Sequence, residues 1–403
     1  MNMLRIAEIS IHSCPIRSLG GKDTGGMNVY VRELSRQLGQ RGHRVDVFTR
    51  WHGPREPEVV PLGENARLIH LAPGEQEDMH RQEIYHYLPQ FLSNLRHFME
   101  REGVRYDLLH SHYWLSARAA EQLKGQLGIP HVATFHTLGL VKNQARPAEQ
   151  ESELRIDTER EAIATADRVI AFSAAEREDL IHLYGAHREK VEVIPCGVRL
   201  DQFRPMDRGQ ARHELGVDEA KVLLFAGRIQ PLKGIDILLK AVACLEDRSE
   251  LRLLIAGGDA ESEDEMARLA SLAAELGISQ RVSFLGAVAH ERMPLLYNAA
   301  NVCVVPSYHE SFCLVAIEAL ACGTPVVASR VGGLATTISD GQTGYLVSQL
   351  SAEAFAQSLQ LLLGDEELER RLGAQGRKSV MKYRWSVIAD QVLEVYHALT
   401  GLA

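Results

Sequence analysis

The 403-residue chain has no run of 18 apolar residues, no C-x-x-C pair, no G-x-G-x-x-G, no G-x-x-x-x-G-K-[ST] and no excess of positive charge. The first absence leaves no candidate membrane-spanning helix. The opening segment MNMLRIAEISIHS also lacks the basic start and long apolar run of a signal peptide, so a cytoplasmic protein is expected. Six cysteines, at positions 14, 196, 244, 303, 313 and 322, follow no regular spacing; with no paired motif they read as reduced thiols rather than a disulfide framework. The missing glycine fingerprints argue against a dinucleotide oxidoreductase and a P-loop ATPase. The net charge of -9 argues against non-specific binding to nucleic acid or to anionic lipid. It leaves anionic small molecules open, because a few cations in a cleft focus a local positive field.

What is present is a chain of ordinary globular composition, 45% hydrophobic and 24% charged. Its length suits two domains of roughly 200 residues each. Short runs rich in Val, Ile and Leu recur at 4–10, 44–49, 107–110, 131–135, 168–172 and 191–194, then at 221–226, 251–256, 281–285, 301–305, 325–328 and 344–347. Such runs read as strands buried on both faces of a parallel sheet. Amphipathic helices lie between them; in 27–38, Met27, Val31, Leu34 and Leu38 form one apolar stripe. The expectation is an α/β fold of two Rossmann-like domains facing across a cleft, 1–198 and 219–385, joined by a linker at 199–218. A last helix over 386–403 is free to pack back on the N-terminal domain.

Ligands of open α/β sheets bind beyond the carboxyl ends of strands, so polar residues there carry the functional question. After the first strand comes Gly20-Gly21-Lys22-Asp23-Thr24-Gly25-Gly26, whose glycines let backbone amides approach a phosphate at a helix start; as a motif it reads equally well as a surface turn. After the first strand of the second half comes Gly227-Arg228-Ile229-Gln230-Pro231-Leu232-Lys233-Gly234. Its two cations on one loop could clamp a diphosphate, although a lone loop arginine is usually a solvated charge. The most informative stretch is Pro306-Ser307-Tyr308-His309-Glu310-Ser311-Phe312-Cys313-Leu314-Val315-Ala316-Ile317-Glu318, with a helix expected to open at Cys313 or Leu314. Glu318 would sit one turn inside an apolar helix, where a carboxylate needs polar partners: ribose hydroxyls, or a neighbouring cation.

The G-R-x-x-x-x-K-G loop followed by E-S-F-x-L-V-x-x-E resembles the retaining glycosyltransferases of the GT-B fold, family four, over essentially the whole chain. The resemblance implies that Glu310 binds sugar hydroxyls, Glu318 the ribose, and Arg228 and Lys233 the diphosphate. It places Gly25, Gly26, Ser311, Phe312, Leu314 and Val315 around the donor as well. Cys313 departs from the pattern, which has glycine after Ser-Phe; its amide still donates, and its side chain narrows the sugar pocket. The absence of Asp-x-Asp removes the metal site of the other major glycosyltransferase fold. His110 and His112 alternate on a strand end, but without a clustered third ligand they read as a hydrogen-bonded structural pair. No protein metal site and no prosthetic group are expected; Mg²⁺ on the diphosphate is compatible but not required.

The N-terminal half resembles the branch that glycosylates inositol phosphate in mycothiol synthesis and, less closely, the sucrose-phosphate synthases. The carrying segments are Gly25-Gly26-Met27-Asn28-Val29-Tyr30-Val31, His110-Ser111-His112-Tyr113-Trp114, and His136-Thr137-Leu138-Gly139 with Lys142-Asn143. The resemblance implies a phosphorylated acceptor near Asn28, held by Tyr113, Thr137, Arg155 and Arg81, the last standing where the branch has lysine. It also places His136 near the sugar. The implied reaction moves glucose or N-acetylglucosamine from a UDP-sugar to a hydroxyl of a phosphorylated polyol or sugar, with retention. Alternatives are a sucrose-phosphate-synthase-like transfer to fructose 6-phosphate, a lipid-directed transferase, an epimerase and a non-catalytic nucleotide-sugar binder. No stable membrane insertion is expected, and a homodimer is compatible with the chain.

Overall fold

The computed structural model describes residues 3–17, 25–53, 56–74, 79–148, 150–218, 221–245, 250–259 and 262–402. Gly20, Gly21 and Thr24 of the expected glycine turn lie outside the described residues; Gly25 and Gly26 lie within them. The chain divides into two compact units. The first comprises Met1–Arg17, Gly26–Pro195 and Trp385–Ala403; the second comprises Cys196–Arg384 and, among the described residues before it, Gly25.

The first unit holds an eight-stranded sheet of β1 (Arg5–Ile9), β2 (Arg44–Arg50), β3 (Val59–Gly63), β4 (Ala66–Leu71), β5 (Leu108–His112), β6 (His131–Thr134), β7 (Arg168–Ala171) and β8 (Val191–Val193). Their order is β3-β4-β2-β1-β5-β6-β7-β8, and every pair is parallel except β3 with β4. The β3–β4 hairpin is absent from the strand pattern read in the sequence. Its first strand, Val-Val-Pro-Leu-Gly, is an edge strand with only Leu62 buried, and proline and glycine read there as breakers. Asn65 at φ 54° turns the chain between the two strands.

The helix Gly26–Gln40 buries more than its apolar stripe: Asn28, Glu33 and Ser35 are buried alongside Val31, Leu34 and Leu38. The helix Leu88–Glu102 turns Leu88, Phe91, Leu92, Leu95 and Phe98 into the core around β1, β4 and β5. The C-terminal helix Trp385–Thr400 packs in this unit, with Trp385 edge-on to Tyr30 and Asp390 paired to Arg41.

The second unit holds a six-stranded, all-parallel sheet of β9 (Lys221–Ala226), β10 (Leu251–Ala256), β11 (Val282–Gly286), β12 (Val302–Val305), β13 (Val326–Ser329) and β14 (Gly344–Val347), in the order β11-β10-β9-β12-β13-β14. Its core joins β9, β10, β12 and β13 to the helices Ile235–Cys244, Glu263–Glu275 and Ala352–Gly364. Both units are therefore parallel α/β sheets of Rossmann type. In each, strand order reverses beside the first strand: between β1 and β5 in one and between β9 and β12 in the other. Those switch points are where this architecture opens a crevice for ligands.

Candidate functional site

In the second unit the loops after β9 and β12 meet at the switch point. Gly234 has φ 65°, and a Cβ there would stand 2.1 Å from the Pro306 carbonyl oxygen, so only glycine lets the two loops touch. On the other side of the β12 loop, Gly333 donates to the Glu310 carbonyl at 2.9 Å, and a Cβ on Gly332 would collide with the same oxygen. The Val331-Gly332-Gly333 turn thus cradles Glu310 and Ser311, a role that its Gly-Gly signature alone does not reveal.

Held this way, Glu310 accepts from Lys233 Nζ at 2.6 Å and from Ser307 Oγ at 2.7 Å. Burial pushes its carboxyl up, but the Lys233 charge and the two hydrogen bonds outweigh it and hold the group below the usual carboxylate range. Arg228 is partly buried at the start of the same loop as Lys233. Phe312 is buried and packs edge-on to Tyr383, so its side chain anchors the loop. Cys313 precedes the helix Leu314–Ala321 with φ 78° and ψ 86°, a backbone region that favours glycine.

Glu318 is buried in that helix, and both its oxygens are engaged: His290 Nε2 lies 2.7 Å from Oε1, and the Tyr297 hydroxyl donates to Oε2 at 2.9 Å. These partners stand 28 and 21 residues upstream, and nothing local in the sequence announces them. Each carboxylate oxygen has a second lone pair, so the group retains capacity for a further donor.

In the first unit, β5 is followed by Tyr113, whose φ 77° and ψ 163° lie in a region almost confined to glycine. This backbone turns the phenol into the midst of three other segments. Arg81, on the short helix Arg81–His86, donates from Nη1 to the Tyr113 hydroxyl at 2.9 Å. Arg155 stacks over the Tyr113 ring with its guanidinium carbon 4.8 Å from the centroid. It also donates from Nη2 to Thr137, at 2.9 Å to the carbonyl and 3.1 Å to Oγ1. Ser152 caps the helix Glu153–Thr165 and so fixes the start of the turn that carries Arg155. The structure thus brings together Arg81, Tyr113, Thr137 and Arg155.

Asn28 lies on the helix Gly26–Gln40 of the same unit. It is buried, donates from Nδ2 to the Cys14 carbonyl at 2.7 Å and accepts from Ser13 Oγ at 2.9 Å, clasping the loop after β1.

His136 has φ 62°, is partly exposed, and places Nε2 3.2 Å from His112 Nδ1. Burial, followed by His112 and His12, holds its imidazole well below the ordinary histidine range, so it is neutral near pH 7. The third group sought beside His110 and His112 does exist: Glu8, fully buried on β1, brings a carboxylate and two imidazoles within 4.8 Å of one another. These are donor types that suit a divalent ion. Both His110 nitrogens already serve hydroxyls, however, those of Tyr396 at 2.6 Å and Thr134 at 2.9 Å. A carboxylate inside the apolar strand Arg-Ile-Ala-Glu-Ile is the signal that would have found Glu8.

Comparison with known proteins follows the same division. Residues 24–202 match the model described as Glycosyltransferase Family 4, and residues 207–379 the one described as Glycosyl transferases group 1. The chain is 41% identical to a D-inositol 3-phosphate glycosyltransferase of Nocardia farcinica, over 98% of this chain and 89% of that one. It is 38% identical to the enzyme of that name from Corynebacterium glutamicum, over 98% and 96%. A solved sucrose-phosphate synthase from Thermosynechococcus elongatus superposes with a TM-score of 0.92 at 37% identity, covering 99% of this chain and 100% of that one. HepE of Anabaena, solved with UDP and glucose, shares the fold with a TM-score of 0.78 at 19% identity, over 98% and 100%.

Proposed function

The chain belongs to the family 4, group 1 glycosyltransferases, enzymes of the GT-B fold that use nucleotide-sugar donors, and we propose that it transfers a hexosyl group to a phosphorylated polyol or sugar. The observation that carries the acceptor class is the meeting of Arg81, Tyr113, Thr137 and Arg155 around one phenol. Two guanidinium groups and two hydroxyls drawn from four segments suit a phosphate, which takes several charge-assisted hydrogen bonds at once. The relatives are consistent with this: one set is named for inositol 3-phosphate and another for sucrose phosphate, and both names contain a phosphate ester.

The donor is a UDP-sugar carrying glucose or N-acetylglucosamine, held by the second unit. Arg228 and Lys233 neutralise the diphosphate as the anomeric C–O bond breaks and negative charge grows on the leaving group. The free amides at the start of the helix Leu314–Ala321 act in the same sense. Glu310, kept ionised by Lys233 and Ser307, accepts from sugar hydroxyls, and Glu318 from the ribose. The acceptor hydroxyl attacks the face that the diphosphate leaves, and a diphosphate oxygen takes its proton, so configuration is retained. His136, neutral and partly exposed, contributes a hydrogen bond near the sugar.

Inositol 3-phosphate is the preferred acceptor in this reading. Fructose 6-phosphate is the second, favoured by the 0.92 TM-score to the sucrose-phosphate synthase. A lipid-directed role is disfavoured because the apolar face of the helix Leu88–Glu102 is spent on the core. Among the described residues no helix is long and apolar enough to cross a membrane.

The test is a product screen by mass spectrometry. UDP-glucose and UDP-N-acetylglucosamine are each paired with inositol 3-phosphate, fructose 6-phosphate and their unphosphorylated forms, and the anomeric configuration is read by NMR. Turnover of phosphorylated and unphosphorylated acceptors at equal efficiency would sink the proposal. A new nucleotide sugar formed from donor alone would point to an epimerase.

A further inference from the structure

The cation cluster of the first unit already contains an anion that motif reading does not account for. Glu151 lies just before the helix Glu153–Thr165, with its Oε1 ion-paired to Lys142 and 3.1 Å from Arg155 Nη1. Its backbone N–H donates to Asn143 Oδ1 at 2.7 Å, which pins the segment beside Lys142. Burial pushes its carboxyl up, but the charges of Arg155 and Lys142, with a contribution from Arg81, bring it down to about 2. Glu151 is therefore ionised throughout the working pH range.

A second carboxylate, Glu159, touches the same arginine but is built differently. It is fully buried, accepts from Arg155 Nε at 2.7 Å and from the Gly139 N–H at 2.9 Å, and takes the Tyr184 hydroxyl as well. Glu159 is a fixed part of the core, whereas Glu151 retains 20% of its side-chain exposure outside any helix. Of the two anions, Glu151 is the one that can swing away.

We propose that Glu151 is a resident carboxylate competing with the acceptor's phosphate for Arg155, and that Lys142 becomes a further phosphate ligand once Glu151 is displaced. Charge balance supports the exchange. With Glu151 in place, Lys142 and Arg155 are matched by Glu151 and Glu159. With Glu151 swung out, Glu159 alone remains against them, and the positive charge so released is available to a phosphate. A neutral acceptor gains nothing by expelling Glu151, so the carboxylate sharpens selection for phosphate and covers the cations when no acceptor is present.

The inference rests on the acceptor reading above, and its test is chosen so that the two fail separately. The probe is inorganic phosphate, titrated calorimetrically into the full-length enzyme, with acceptor kinetics in parallel. Glu151→Gln keeps the shape and removes the competing charge; phosphate should bind about tenfold tighter, and the KM of the phosphorylated acceptor should fall in step. The KM of the unphosphorylated acceptor should not move. Glu151→Asp, whose shorter arm draws the carboxylate back from Lys142, should act in the same direction by less and serves if the glutamine variant folds poorly. Lys142→Ala should weaken phosphate binding. Equal or weaker phosphate binding by Glu151→Gln, in an enzyme that prefers phosphorylated acceptors, overturns the competition alone. A wild type that neither binds phosphate nor prefers phosphorylated acceptors overturns the acceptor reading itself.

Discussion

Arg155→Ala should do two separable things. Arg155 is buried, its Nε is bonded to the fully buried Glu159, and its guanidinium stacks on Tyr113. Removing one partner of a buried ion pair strands the other, at a cost of about 3–5 kcal/mol. For a unit of this size that is a fall in Tm of roughly 6–20 °C. In the proposed acceptor site the variant also loses a phosphate ligand, whose charge-assisted bonds are worth about 1.5–3 kcal/mol, or a tenfold to hundredfold rise in acceptor KM. A poorly folded variant would blur the second effect, so the decisive protein is Arg155→Ala/Glu159→Gln. Neutralising Glu159 removes the stranded charge and should recover much of the Tm, while the phosphate preference stays lost and the donor KM stays put. Thermal denaturation by circular dichroism and steady-state kinetics on paired acceptors read the two effects. A double variant with restored Tm and wild-type preference for phosphate would refute the assignment of Arg155 to the acceptor.

Lys233→Ala should lower kcat by about 10²-fold or more, as losing one transition-state donor does. Because Lys233 holds the Glu310 carboxyl down against burial, the same variant should carry the acid limb of its pH–rate profile to higher pH; an unmoved profile and near wild-type turnover would remove the pair from the mechanism. Glu318→Gln should raise the donor KM by about tenfold, since a hydrogen bond to a charged group is worth about 1.5–3 kcal/mol. A lower Tm with unchanged donor kinetics would make Glu318 structural, a brace for His290 and Tyr297. Cys313→Gly should relieve about 1–2 kcal/mol of positive-φ strain, partly offset by glycine's entropy in the unfolded chain, leaving Tm unchanged or higher. It should also favour UDP-N-acetylglucosamine over UDP-glucose by widening the pocket, and a destabilisation beyond about 1 kcal/mol would show that φ 78° costs nothing here.

The sheets were legible because parallel strands buried on both faces are written as unbroken apolar runs, and twelve of the fourteen strands among the described residues follow such runs. The β3–β4 hairpin escaped because an edge strand need bury only one side chain, and proline and glycine are tolerated there. The loops after β9 and β12 could be found because their charged and glycine residues sit directly behind strands. Their partners could not. His290 and Tyr297 reach Glu318 through the tertiary fold, and Gly332-Gly333 supports Glu310 by close backbone approach, which a sequence shows only as another turn. Glu151 illustrates the same limit in the first unit. A glutamate in a polar segment reads as a solvated charge until Lys142 and Arg155 are seen on either side of it.

Backbone strain supplies a line of reasoning independent of motifs. Among the described residues four non-glycine positions have positive φ: Asn65, Tyr113, His136 and Cys313. Asn65 turns a hairpin, a place where asparagine tolerates this conformation. The other three follow β5, β6 and β12; histidine is one of the types enriched in this region, whereas tyrosine and cysteine are not. At about 1–3 kcal/mol each, such conformations persist only where surrounding contacts over-determine them. Tyr113 meets that condition: its N–H donates to the Thr134 carbonyl at 2.9 Å, Arg155 covers its ring and Arg81 grips its hydroxyl. Cys313 is fixed between the Glu310 loop, held by Gly333, and the helix that it starts. A chain selected for stability alone would place glycine at these positions. A phenol and a thiol kept there point to a role beyond folding for the side chain, or for the backbone direction it enforces. The strained positions fall on the proposed acceptor cluster, the histidine beside it and the proposed donor loop.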